Sequence, residues 1–166
     1  MNTEINALRD VYIKKRIKRK LMDEKFFNGW FTELNNGLDK MSIEECSRLF
    51  VGCAERCAGD ALKYLYADLF KECRGNLDLF FQRVGEKKNV EGRIIESGKI
   101  YELVFTSCDC PLHTEMKIQS NRLCECSRQS MICVFRSLVP DREFSIVTKT
   151  SILSRDKECC HRIVFQ

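Results

Sequence analysis

Apolar residues recur at helical spacing through the first half of the chain. From Ile5 to about Lys25 they fall three to five residues apart among charged residues, which predicts an amphipathic helix. Ser42, with Glu45 three residues later, has the form of a capping box. This pair predicts the start of the next helix.

The second predicted helix carries a stripe of apolar residues and thiols, which we expect to be its buried face: Ile43, Cys46, Leu49, Phe50, Cys53 and Cys57. Gly59 and Asp60 are expected to break or bend this helix. Two more helices are predicted, from Ala61 to Glu72 and from Leu77 to Val84.

After Gly92 the pattern changes to the alternation that is typical of strands. It predicts a hairpin of 93–96 and 99–105, then a helix over 121–139 that Pro140 ends. A second antiparallel pair is predicted over 144–152 and 159–165. The fold class is therefore α+β, with N-terminal helices packed on a four-stranded antiparallel sheet. Residues 1–90 are mainly helical, and 91–166 run strand, strand, helix, strand, strand.

The bulk composition favours one domain with a weak overall charge. The 166 residues are 44% hydrophobic, enough for one core, so we expect a single domain over 1–166. The net charge is only +4, and nucleic acid is not expected as a partner. The start resembles no secretory signal, and no apolar run has the ~18 residues that a membrane helix needs. We therefore expect a cytoplasmic protein with no membrane partner.

Two surface features of the N-terminal region leave more than one interpretation open. The first predicted helix has a basic face that extends from Lys14 to Lys20, which is typical of a solvated helix but also suits phosphates or an acidic partner. An aromatic group follows it, made of Phe26, Phe27, Trp30 and Phe31. Aromatic residues at helical spacing indicate core or a subunit interface more often than a ligand cage.

Eleven cysteines are an unusual number for a chain of this length. A reducing cytosol argues against a disulfide framework, and an odd number leaves one thiol unpaired in any such scheme. The alternatives are buried apolar thiols, metal ligands and reactive thiolates.

Three cysteine pairs are the candidates for chemistry. Cys53 and Cys57 are spaced to share one side of a helix, Cys108 and Cys110 lie in a loop after a strand, and Cys124 and Cys126 open the following helix. Four such ligands suffice for tetrahedral zinc, so Cys53, Cys57, Cys108, Cys110 and Cys124 are the predicted metal ligands and zinc the expected metal. A helix start also lowers a thiol pKa, which makes Cys124 and Cys126 candidate nucleophiles. Inert packing of the cysteines is the competing interpretation.

The order of these motifs resembles the cysteine-rich 4-vinyl reductase-like domains and the L-2-amino-thiazoline-4-carboxylic acid hydrolase-like proteins, including bacterial relatives. The likeness covers about the last two-thirds of the chain. The residues that carry it are Cys53-Ala54-Glu55-Arg56-Cys57, Cys108-Asp109-Cys110-Pro111, Cys124, and Ser151-Ile152-Leu153 ahead of Cys159-Cys160-His161-Arg162-Ile163. The resemblance implies a ligand-binding α/β fold shared with a TRAPP vesicle-tethering subunit. It also implies metal or ligand binding at Cys108, Cys110 and Cys124, and less directly at Cys53, Cys57 and Cys159.

Three functions remain open from the sequence. The first is a binding module for a small molecule or metal, with sensing as a role, in which Cys126, His113, Cys159 and Arg56 add ligand contacts. The second is a hydrolase of a small C=N or thioester-like bond, with Cys124 or Cys126 as nucleophile and Glu125 or His113 as proton carrier. The third is an interaction protein that forms a homodimer through the N-terminal aromatic residues.

Overall fold

The computed structural model describes residues 25–86 and 89–166. The amphipathic helix predicted before residue 25 lies outside these ranges. Helix α1 covers residues 25–39, and helix α2 follows at Ile43–Ala61. The predicted capping box at the start of α2 is confirmed, because the Ser42 amide donates to the Glu45 carboxylate at 2.7 Å and the Glu45 amide donates to Ser42 Oγ at 3.2 Å.

The helix does not break at Gly59 and Asp60, so that half of the prediction of a break or a bend is wrong. Helix α2 continues to Ala61, runs through a π-helical segment at Leu62–Tyr66, and joins helix α3 at Ala67–Glu72. A glycine inside a helix costs only about 1 kcal/mol relative to alanine. Helix α2 packs along the later helix Cys124–Leu138, and we infer that this packing offsets the cost at Gly59.

The buried face of α2 also differs from the predicted stripe. Cys46 and Phe50 are buried as expected, but the face continues through Ala54 and Ala58. Four residues of the predicted stripe are exposed: Ile43, Leu49, Cys53 and Cys57. Residues four positions apart lie on the same face of a helix, so these four residues form one stripe. The small side chains of Ala54 and Ala58 let the helix that packs on α2 approach closely.

The second half of the chain contains a four-stranded antiparallel sheet, as predicted. Helix α4 covers Leu77–Arg83 and leads to strands β1 at Val90–Glu96 and β2 at Ile100–Phe105. Helix α5 is a single turn at Pro111–Thr114, and a 3₁₀ turn at Asn121–Leu123 leads into helix α6 at Cys124–Leu138. Strands β3 and β4 cover Phe144–Thr150 and Cys159–Phe165. The strand order is β1-β2-β4-β3, which confirms the α+β fold.

Two clusters of buried side chains fill the space between the helices and the sheet. The larger cluster packs Phe80 and Phe81 of α4 and Phe135 of α6 on the inward residues of the central strands, such as Tyr101 and Ile163. The smaller cluster lies between α1, α2 and the start of α6: Leu38, Cys46, Phe50, Ala54, Ile118, Leu123 and Cys126. The first turns of α6 contact both clusters. Their side chains therefore line the space between the two clusters.

In the described part of the chain, no helix combines the length and the apolar composition needed to cross a membrane.

Candidate functional site

A cavity of about 410 Å³ lies where the two clusters meet. Its wall is built by the end of α2, the loop between β2 and α5, the first turns of α6 and the adjoining ends of β3 and β4. Six of the eleven cysteines line it: Cys57, Cys108, Cys110, Cys124, Cys126 and Cys159. We call this space the thiol cavity.

The sheet register explains why cysteines distant in sequence meet here. Phe105, the last residue of β2, pairs with Cys159, the first residue of β4. The loop that carries Cys108 and Cys110 therefore leaves the sheet beside the start of β4. Pro111 begins helix α5 and turns this loop back toward the start of α6, where Cys124 and Cys126 lie.

Four of the six thiols of the cavity have raised pKa values, because the protein shields them from water, and they are protonated at neutral pH. Burial raises the pKa of the Cys124 thiol to about 11 and that of Cys126 to about 12. Partial shielding from water by the cavity wall also raises the pKa of Cys57, which is exposed overall, and that of the half-buried Cys108. The expectation that the helix start would lower the pKa of Cys124 and Cys126 is therefore wrong, since desolvation outweighs the favourable helix end.

A short turn after β3 holds two of the thiols. Cys124 Sγ lies 2.8 Å from Ser151 Oγ, and the Ser151 amide donates to Asp156 Oδ2 at 2.8 Å. One residue later, the Ile152 amide donates to Cys159 Sγ at 3.3 Å. These bonds fix Cys124 and Cys159 against the same turn, so this part of the cavity wall is preorganised.

His161 is a cavity residue that the candidate set did not include. Its ring is 2% exposed, and its Nδ1 lies 3.1 Å from Thr148 Oγ1. Burial lowers the pKa of His161 to about 4, so the imidazole is neutral at physiological pH. The signal was present in the sequence, because strand alternation places residue 161 on the same face as Cys159.

Thr150 supplies a hydroxyl to the cavity. Its Oγ1 is buried and has no hydrogen-bond partner among the described residues. Buried hydroxyls without a partner are rare in folded proteins, because leaving one costs about 1–3 kcal/mol. This oxygen is therefore a ready contact for a bound molecule.

Four of the predicted site residues lie outside the cavity. Cys53 and Arg56 are exposed residues of α2. His113 is tied to its own loop, with Nδ1 2.9 Å from the Ile118 carbonyl oxygen. Glu125 is buried but does not line the cavity, and it accepts hydrogen bonds from Arg128 at 2.6 Å and 2.8 Å.

The contacts of Glu125 correct its predicted role as a proton carrier. Ser47 of α2 and Gln129 also donate to its carboxylate, the latter at 2.9 Å. Burial acts to raise the pKa of Glu125, but these donors together with Arg128 outweigh it and hold the pKa below its usual value. The carboxylate is an ionised member of a structural network rather than a base beside a thiol.

Within residues 25–86 and 89–166, no group of three or more His, Cys, Asp or Glu side chains is arranged to hold a metal ion. Zinc binds cysteines as thiolates in a tetrahedral set. The zinc site expected at Cys53, Cys57, Cys108, Cys110 and Cys124 stays a prediction. Elemental mass spectrometry on protein purified without chelators tests it.

Comparisons with known proteins give distant structural neighbours. No family model matches the chain, and no curated protein matches it. Trafficking protein particle complex subunit 3 from Naegleria fowleri, covalently bound to palmitic acid, has a TM-score of 0.44 at 11% identity, over 86% of this chain and 92% of that one. An H-NOX protein from S. oneidensis in the Fe(II)NO state has a TM-score of 0.42 at 12% identity, over 82% and 72%.

The resemblance to the 4-vinyl reductase-like and thiazoline-carboxylate hydrolase-like families is not confirmed by these comparisons. A distant likeness to a trafficking-complex subunit is found, at a level that carries no argument about function. The function has to be argued from the cavity itself.

Proposed function

We propose that the protein binds a small, uncharged organic molecule in the thiol cavity. The observation that carries this proposal is the chemistry of the wall, which contains six cysteines and no lysine or arginine among the described residues. The thiols with raised pKa values and His161 are neutral near pH 7. An anionic ligand would lose its hydration there without gaining an opposite charge.

The size and the remaining side chains support the same conclusion. Pockets for small molecules have volumes of ~300–1,000 Å³ and are mostly apolar with a few polar groups. This cavity has about 410 Å³, and its apolar wall includes Leu65, Tyr66, Phe105 and Met131. The Thr150 hydroxyl has no partner and suits a ligand oxygen or nitrogen.

One acidic residue lines the cavity at an exposed position. Asp109 accepts hydrogen bonds from Asn89 Nδ2 at 3.0 Å and from Ser107 Oγ at 2.9 Å. A carboxylate in this place disfavours an anionic ligand. The wall therefore selects against negative charge in two ways, by lacking cations and by carrying this carboxylate.

Two dyes that share one aromatic skeleton test the proposal. N-phenyl-1-naphthylamine is uncharged, whereas 8-anilino-1-naphthalenesulfonate carries a sulfonate. We expect the uncharged dye to bind and to lose affinity about tenfold in Ala61→Phe, because a phenyl ring there fills part of the cavity. Fluorescence titration measures the affinity of each dye for the wild type and for Ala61→Phe.

Ala67→Phe is the matched control, since Ala67 is an exposed alanine of helix α3. It should leave the affinity for the uncharged dye unchanged. Equal binding of the dye to wild type and Ala61→Phe, in variants that melt at the same temperature, would contradict a ligand site in the thiol cavity.

The hydrolase alternative requires a thiolate, and alkylation rates distinguish it from a binding module. With a pKa of about 11, Cys124 has ~100-fold less thiolate near neutral pH than a thiol with its usual pKa near 9. We expect N-ethylmaleimide to modify the exposed Cys53 first and Cys124 and Cys126 last. Timed quenching with peptide mass spectrometry gives the order. Fast modification of Cys124 in folded protein would favour thiolate chemistry instead.

A further inference from the structure

The first described turns of helix α1 present a group of aromatic side chains to solvent. Phe26 is 67% exposed, and Phe27 and Trp30 are each 55% exposed. Scattered apolar residues on a surface are ordinary, but these three lie within five positions of one helix, and the ring centroids of Phe26 and Phe27 are 5.7 Å apart. We call these three residues the aromatic patch.

The exposure of the patch does not come from a loosely attached helix. Phe31, Leu34 and Leu38 of α1 pack into the smaller core cluster. Asn35 Oδ1 accepts from the Gln119 amide at 2.7 Å and from the Ser120 amide at 3.0 Å, which ties α1 to the loop before α6. The helix is therefore docked by one part of its surface while the patch is left uncovered by the described residues.

The charge of the chain is concentrated directly before this patch. Residues 1–25 contain eight Lys and Arg against four Asp and Glu, a net charge of +4 that equals the net charge of the whole chain. The remaining residues carry 20 of each sign and are neutral overall. Six of the basic residues lie within 14–20, ending six positions before Phe26.

We propose that the aromatic patch and the basic residues before it dock the protein on the surface of an anionic lipid membrane. A basic cluster beside Phe and Trp is the composition of segments that lie in the membrane interface. Tryptophan prefers the headgroup region, and each Lys or Arg near an anionic surface adds about fivefold in affinity. Nucleic acid would satisfy the charges, but three aromatic residues clustered on the outside of a helix fit the interfacial layer better than a groove.

This surface attachment differs from the membrane contact that the sequence argued against. The sequence showed no apolar run long enough to span a bilayer, and the described helices show none either. An interfacial segment needs only side-chain insertion and a basic flank. It is also independent of the thiol cavity, whose residues take no part in it.

Vesicle binding of the full-length protein tests the proposal, with Trp30 as reporter because it is the only tryptophan in the chain. We expect binding to mixed phosphatidylcholine and phosphatidylserine vesicles, with a blue shift of Trp30 fluorescence, and little binding to pure phosphatidylcholine. High salt should weaken it. The double variant Lys14→Ala, Lys15→Ala should reduce the vesicle partition coefficient about 25-fold, because each of the two lost charges is expected to reduce it about fivefold.

Phe26→Ser with Phe27→Ser should abolish the blue shift. Tyr64→Ser is the matched control, because Tyr64 is a comparably exposed aromatic residue at 66% and lies outside the patch. Equal binding to both vesicle types, or full binding by the double serine variant, would overturn the proposal. A blue shift that follows protein concentration without lipid, together with a dimer mass in sedimentation, would overturn it in favour of the homodimer. Binding to duplex DNA without binding to vesicles would overturn it in favour of a nucleic-acid partner.

Discussion

Replacing Arg128 with methionine is expected to lower the free energy of unfolding by about 3 kcal/mol near neutral pH. Arg128 donates twice to Glu125 and once, at 3.2 Å, to the Ile146 carbonyl oxygen. Glu125 is 5% exposed, so the substitution leaves a buried carboxylate with only Ser47 and Gln129 as donors. Urea unfolding followed by circular dichroism measures the loss.

The loss should depend on pH with a definite sign. In the wild type the folded-state pKa of Glu125 lies below its unfolded value, so its contribution is present above the unfolded pKa of about 4.3 and is lost as the pH falls through the folded one. In Arg128→Met the burial acts with less opposition, and we expect the folded-state pKa of Glu125 to rise above the unfolded one. The variant then gains stability as the pH falls, so the difference from wild type should shrink between about pH 7 and about pH 4.

Arg83→Met is the matched control for this prediction. Arg83 pairs with Glu72 at 2.9 Å and Glu86 at 3.0 Å, but its side chain is 37% exposed. Exposed pairs contribute ~0–1 kcal/mol, so this variant should lose less than about 1 kcal/mol. Equal losses in both variants would contradict a special role for the buried network.

Replacing Gly92 with alanine is expected to destabilise the protein by about 3 kcal/mol. A Cβ at this position in strand β1 would lie 2.7 Å from Val84 Cγ1 and 2.8 Å from the carbonyl carbon of Phe81, and closer still to the Phe81 carbonyl oxygen. Because two of these three atoms belong to the backbone of α4, the strand and the helix must move apart. Thermal and urea unfolding check the result.

Gly52→Ala is the control for this prediction, and the opposite change in stability is expected. Gly52 lies inside helix α2, and a Cβ there meets nothing within 4 Å. Alanine is favoured over glycine in a helix interior by about 1 kcal/mol, so this variant should be more stable than wild type. If both alanine variants change stability in the same direction, close packing at Gly92 is not the cause.

Local sequence patterns determined most of the elements of this fold. The capping box at Ser42, the alternation after Gly92 and the stop at Pro140 act over a few residues, so they are readable without knowledge of the rest of the chain. The α+β class followed from the order of these elements. The break considered at Gly59 does not occur, because the weak local preference of glycine is overridden by the packing of α2 on α6.

The cysteine motifs also indicated where the candidate site lies. The pairs at the end of a strand and at the start of a later helix were expected to share a site, and the structure brings Cys108, Cys110, Cys124 and Cys126 to one cavity with Cys57 and Cys159. Strand alternation also indicated that His161 lies on the same face of β4 as Cys159. Cys53 was assigned to the site because a four-residue spacing places Cys53 and Cys57 on one side of the helix. The spacing does not show whether that side faces the core.

Only the tertiary structure decided the chemical state of these groups. A helix start favours a thiolate, but the depth of burial at Cys124 depends on strands and loops that arrive from elsewhere in the chain. The ionised state and the orientation of Glu125 depend on Ser47, 78 residues away, and on Arg128. Desolvation and hydrogen bonding set a pKa through neighbours in space, and a linear sequence does not show which neighbours those are.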